Sequence, residues 1–197
     1  LGFFGNEKLQ VGCFVVFLVI YMCTISSNTV IVVTTRASRT LHTPMYFLLS
    51  HFSFMEMCYT SVISPALLVR IVTGKRAVCF AGCMAQLYLF LSMACVENFL
   101  LAAMAYDRYV AVCNPLRYSE IISASACWLL ATGSWLTGFL TPIVPTLLTS
   151  LSFFCGPNVI DHFFCDLSPV LQLSCSDTDF TQRIHYVFAA SLLLGTC

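Results

Sequence analysis

Residues 80–112 read FAGCMAQLYLFLSMACVENFLLAAMAYDRYVAV, and this stretch decides the fold. Only Glu97, Asp107 and Arg108 interrupt it with charge. A helix needs about 20 apolar residues to cross the bilayer core. At about 1.5 Å per residue the run is near 50 Å long, so it predicts a tilted helix that extends beyond the bilayer. Within lipid every backbone polar group must find its partner inside the segment, which makes helix the reading.

Working outward, similar apolar runs occupy residues 11–34, 45–72 and 124–149. A fifth begins near residue 183 and is still running at Cys197, so the reading is a bundle cut within its fifth helix. The connections are short. Residues 35–44 carry Arg36, Arg39 and His42, residues 73–78 carry Lys75 and Arg76, and residues 114–123 carry Pro115 and Arg117. The exception is 150–182, a loop with three cysteines and four aspartates. The chain does not begin with Met and shows no signal peptide, so both ends read as cut.

Composition agrees. The 197 residues are 59% hydrophobic and 9% charged, with a mean hydropathy of +0.88. A soluble domain carries about 45–50% apolar and about 25% charged residues. A disordered chain, a nucleic-acid binder and a conventional soluble enzyme are thereby excluded. The formal net charge of zero implies no bulk electrostatic partner. What remains is one all-α, multi-pass domain over 1–197 whose first partner is the lipid bilayer. The chain shows no internal repeat, the usual pointer to an inverted-repeat transporter.

Basic residues do not orient the bundle. With the first link inside, Arg36, Arg39, Arg108 and Arg117 face one side and Lys8, Arg70, Lys75, Arg76 and Arg183 the other. Cysteines do better, because disulfides persist on the oxidising side. Cys83, Cys155, Cys165 and Cys175 are the candidates for structural bridges. The Cys-rich loop is then outside and the Arg108 end of the third run is cytoplasmic.

Four groups of residues invite a functional reading. Glu56 and Glu97 each lie about 16 Å from the cytoplasmic helix ends, near mid-membrane, and Asn28 offers an amide at compatible depth. A carboxylate there is costly and marks a functional hypothesis. The group reads as a cation or proton site, with Na⁺ near Glu56 and Glu97, or as protonated acids in a packing network. Asp107 and Arg108, at a helix end, read as an electrostatic latch or as an interfacial pair that snorkels. His162, Cys165 and Asp166 have a spacing that suits Zn²⁺ or Cu²⁺, against a disulfide at Cys165 with a surface histidine beside it. The Met and Phe stripes read as packing and lipid contact, or as the lining of an adaptable apolar pocket. No phosphate loop, H-E-x-x-H or G-x-S-x-G motif is present, so no enzyme is expected.

Two strings go further. MAYDRYVAVCNPLRY at 104–118 and LHTPMYFLLS at 41–50 resemble signatures of the vertebrate olfactory receptors. HFFCD at 162–166 and SCSD at 174–177 are similar to that family's second extracellular loop. The resemblance implies a seven-transmembrane-helix receptor of the rhodopsin-like class, seated in the plasma membrane of olfactory cilia. It implies a small-molecule odorant as ligand and a heterotrimeric G protein of the stimulatory olfactory type as partner, with cAMP rising as the output. It assigns Asp107, Arg108, Tyr109 and Arg117 to the G-protein switch. It places the ligand pocket near Phe90, Leu91, Ala94, Cys95 and Asn98, and the bridges at Cys83–Cys165 and Cys155–Cys175. Ser27 replaces the family's usual Gly beside Asn28, Glu56 its usual Asp, and His51 a common Asn. Motifs of the sixth and seventh helices are absent. Two other readings stand beside the receptor: a non-signalling truncated receptor product, and an ion- or proton-conducting or transporter fragment using Glu56 and Glu97.

Overall fold

The computed structural model describes residues 7–73 and 79–151, with 183, 184, 186, 187 and 190. Its elements are α1 (Glu7–Ala37), a 3-10 turn (Arg39–Leu41), α2 (Pro44–Thr73), α3 (Phe80–Cys113), a second 3-10 turn (Pro115–Arg117), α4 (Tyr118–Ile121), α5 (Ala124–Leu140) and α6 (Ile143–Ser150). Every regular element among the described residues is helical. By length and apolarity α1, α2, α3 and the α5–α6 pair are each able to cross a membrane.

The helices pack in chain order, α1 on α2, α2 on α3 and α3 on α5, with a smaller contact of α2 on α5. Short connections force this, because consecutive antiparallel helices become neighbours. The third helix is the centre, and of the four long apolar helices it has the largest share of buried residues. One stripe on it, Val96, Leu100, Ala103, Asp107 and Val110, is buried. These positions recur every three or four residues, which keeps them on one helix face. Val96 and Leu100 pack with Met55 and Met93 near Trp135 and Phe139. Ala103 meets Leu48 and Ala131, and Val110 meets Ile122 and Cys127. Opposite faces carry exposed Val16, Phe17, Leu129, Leu136 and Val144, an apolar skin suited to lipid.

The α3–α5 contact depends on Gly138. A Cβ there would lie 2.8 Å from the Val96 backbone nitrogen. Small residues permit such close approach where helices associate without a hydrophobic drive from water. Beside it, the Tyr88 hydroxyl donates to the Phe139 carbonyl at 2.9 Å.

One difference from the sequence reading has a local cause. The run 124–149 is two helices rather than one, broken at Thr141–Pro142. Pro142 has no N–H to continue the ladder of α5. Its carbonyl instead accepts from Thr146 N at 3.0 Å to start α6. The short link 114–123 contains α4. The 150–182 loop lies outside the described residues apart from 150 and 151. Of the fifth run, Arg183, Ile184, Tyr186, Val187 and Ala190 are helical and the rest lies outside the described residues.

Candidate functional site

Asp107 occupies a position on the buried stripe of α3, so its carboxylate is carried inward and is 2% exposed. A buried carboxylate needs a donor, and the Tyr118 hydroxyl supplies one at 2.8 Å. The chain delivers Tyr118 there by a tight reversal. Asn114 ends α3, Pro115 opens the 3-10 turn at the position where its missing N–H costs nothing, and Tyr118 then begins α4. The tyrosine ring rests on the Val110–Ile122–Cys127 cluster. Burial, then the bond to Asp107 and its negative charge, pushes the hydroxyl up to about 12.

The two residues that follow point elsewhere. Successive helical residues are rotated by about 100°, so Arg108 and Tyr109 emerge on the exposed face. Among the described residues Asp107 and Arg108 form no ion pair. Arg117 pairs instead with Glu120, Nε to Oε2 at 3.2 Å, with both side chains largely exposed. Such a surface pair contributes little. Leu116, at the tip of the reversal, is 97% exposed. The end of α3 thus combines a buried, hydrogen-bonded acid with an exposed guanidinium and a bare apolar tip. Sequence reading did not single out Tyr118 or Leu116. The one available signal was the Pro-directed turn, whose length returns residue 118 beneath residue 107.

The mid-membrane group is partly assembled. Glu56 and Glu97 are both half-buried. They lie within electrostatic reach of each other and of the Tyr59 hydroxyl. Neither carboxylate has a hydrogen-bond or ion-pair partner among the described residues. Asn28 is turned to its own helix, Nδ2 donating to the Thr24 carbonyl at 3.0 Å.

Of the expected pocket residues, Cys95 is fully buried and free, while Phe90, Leu91, Ala94 and Asn98 are half-buried. Phe90 stacks on Tyr59 with ring centroids 5.5 Å apart. Asn98 Nδ2 donates to the Ala94 carbonyl at 2.7 Å, which tethers it to its own helix. Cys83 is buried and disulfide-bonded. The other described cysteines, at 13, 23, 58, 79, 95, 113 and 127, are free. Cys155, Cys165 and Cys175, with the Cys83–Cys165 and Cys155–Cys175 pairings, fall outside the described residues, as do His162 and Asp166. Among the described residues no three metal-ligating side chains gather.

Known proteins match this chain along its length. The family profile described as "Olfactory receptor" covers residues 17–195. Olfactory receptor 6B1 of Homo sapiens is 45% identical over 194 residues, which is 98% of this chain and 62% of that protein. Olfactory receptor 6F1 of Homo sapiens is 44% identical over 197 residues, 100% of this chain and 64% of that protein. Olfactory receptor 287 of Rattus norvegicus is 43% identical over 197 residues, 100% and 63%. The chain therefore spans somewhat less than two thirds of the length of these relatives.

Proposed function

We propose an odorant-receptor function on one premise: the chain belongs to the olfactory receptor family, a family of multi-pass signalling receptors and not of enzymes. The receptor that contains it binds small volatile molecules and, at the plasma membrane of sensory cilia, activates a stimulatory G protein that raises cAMP. Odorant enters on the outer half of α3, near Phe90, Leu91, Ala94, Cys95 and Asn98. Binding favours one population of the bundle over another.

The observation that carries the coupling half of this reading is the split of the triplet at the end of α3. Asp107 is buried on the Tyr118 hydroxyl at 2.8 Å, while Arg108 and Tyr109 are exposed beside it. Such an end has two arrangements available: Asp107 held by Tyr118, or Asp107 released. The exposed Arg108, Tyr109, Leu116 and Arg117 form the surface that a G protein meets. Arg108→Ala in the full-length receptor abolishes odorant-evoked cAMP and leaves surface display largely intact. A normal cAMP response in that variant would remove Arg108 from the switch.

The carboxylates of Glu56 and Glu97 suit a monovalent cation or a shared proton. Two acids within electrostatic reach, half-buried and lacking a basic partner among the described residues, repel one another until one is neutralised. Sodium is the cation proposed, and Glu97→Gln removes the sodium dependence of the odorant response. An unaltered sodium dependence would leave the pair a packing feature.

A further inference from the structure

The outward face where α1, α2 and α5 meet carries a groove made of two cavities. The larger, about 710 Å³, lies at the Arg36 end of the bundle and includes Thr35, Arg36, His42, Thr43 and Ser123 in its lining. The smaller, about 290 Å³, is lined by Val32, Arg36, Ser50, His51, Phe54 and Trp135. Arg36 and Ser50 belong to both, so the cavities join at one charged and one hydroxylic side chain. We propose that this groove holds one anionic phospholipid, its phosphate at Arg36 and an acyl chain along Val32, Phe54 and Trp135.

Charge is the first argument. Among the described residues neither cavity has an acidic residue in its lining, and the buried Asp107 behind Tyr118 is held by the Tyr118 hydroxyl. The Arg36 side chain is exposed and has no acidic partner among the described residues. Arginine matches phosphate oxygens with a planar fork of donors. Pro44 and Ala124, the first residues of α2 and α5, both line the larger cavity. The N-termini of these long helices add partial positive charge at the same place. The hydroxyls of Thr43 and Ser123 supply further polar groups for a headgroup, Ser123 while also capping α5 by accepting from Ala126 N; the buried Thr35 hydroxyl is spent on the Ile31 carbonyl of its own helix.

Depth and shape are the second. Phe54 lies ten residues beyond the start of α2, about 15 Å from it. The groove thus runs from the level of the loop 38–43 about halfway into the hydrocarbon, with polar groups at one end and apolar ones at the other. Phe54 and Trp128 are half-exposed on this face, which lipid reaches laterally. In the smaller cavity His51 Nε2 is buried without a hydrogen-bond partner among the described residues, a polar atom next to the proposed path of the lipid. A sterol fits the apolar end but leaves Arg36 without a counter-charge.

The test uses the complete receptor containing this chain, purified in detergent and examined by native mass spectrometry. Probes are phosphatidylserine, phosphatidylcholine of the same acyl chains, cholesterol, and the soluble headgroup glycerophosphoserine. Phosphatidylserine adducts should exceed the other three. Arg36→Gln should reduce them about fivefold, the factor corresponding to about 1 kcal/mol for one basic side chain at an anionic surface. Arg39→Gln, on the neighbouring loop but outside both linings, should reduce them less than about twofold. Because Arg36 is exposed, the substitution leaves the core intact, and a matched elution profile verifies that. Equal binding of both phospholipids, or no effect of Arg36→Gln, would overturn the proposal. Preference for cholesterol would overturn it in favour of a sterol groove. Soluble headgroup binding as strong as the lipid's would overturn the lipid assignment and leave a phosphate site.

Discussion

Tyr118 holds Asp107, and that bond is the smallest unit on which the proposed coupling rests. Asp107 sits where the α3 stripe would otherwise place an apolar residue, so its carboxylate depends on the donor it is given. Tyr118→Phe keeps the ring on Val110, Ile122 and Cys127 but deletes the donor. A hydrogen bond to a charged group contributes about 1.5–3 kcal/mol, and the melting midpoint of the purified receptor should fall by a corresponding amount. An unchanged midpoint would mean that the buried acid has another donor. The pH dependence has a definite sign. The folded hydroxyl titrates at about 12, above the ordinary tyrosine value near 10. Its contribution is therefore complete below the unfolded pKa and is lost as pH rises through about 12. The difference between wild type and Tyr118→Phe should stay constant across neutral pH and shrink in strong alkali. Arg117, three residues from Glu120, offers a contrast. Its exposed pair should show almost no effect on stability when broken.

The contact of α3 with α5 turns on one glycine. At Gly138 an added methyl meets Val96 side chain and backbone together, whereas at Gly133 it meets nothing within 4 Å. Gly138→Ala should cost about 1–3 kcal/mol of overpacking and lower surface display sharply. Gly133→Ala should be neutral or slightly stabilising, since alanine favours helix over glycine by up to about 1 kcal/mol. Equal display of the two variants would show that the helices separate easily. Gly133 and Gly138 look alike in the sequence, five residues apart in one apolar run, and only the register against Val96 separates them. The same limit governs the rest. Helical runs were legible because twenty apolar residues in lipid have one backbone solution. The break at Pro142 was readable in principle from a proline inside the run. The Asp107–Tyr118 bond was not, because it depends on how tightly the 114–118 turn folds back. The Arg36 groove joins residues from four helices, α1, α2, α4 and α5, and no local string announces it. Glu56 and Glu97 were found from depth alone, and depth did not reveal that Asn28 bonds to its own helix.

At the scale of the whole molecule the open question is which end faces the cell interior, and α3 carries its own markers. Its first turn holds Cys83, which is disulfide-bonded, and a disulfide persists on the oxidising side of a membrane. Its other end holds Asp107, Arg108 and the reversal at 114–118, about 36–46 Å away along the helix. Basic residues divide almost evenly between the two sides, so charge does not decide the matter. Two free, exposed thiols do: Cys79 precedes the first turn of α3 and Cys113 ends the helix. A maleimide that cannot cross membranes should label Cys79 on intact cells and reach Cys113 only after permeabilisation. Cys79→Ser should abolish the labelling on intact cells, and Cys113→Ser the increment gained on permeabilisation. Both thiols are exposed, so neither serine substitution creates a buried cavity or an unsatisfied core group. Labelling of Cys113 on intact cells, with Cys79 protected, would invert the bundle. That outcome would put Arg108 and Leu116 outside the cell, where no G protein can meet them, and would end the coupling mechanism proposed for this receptor.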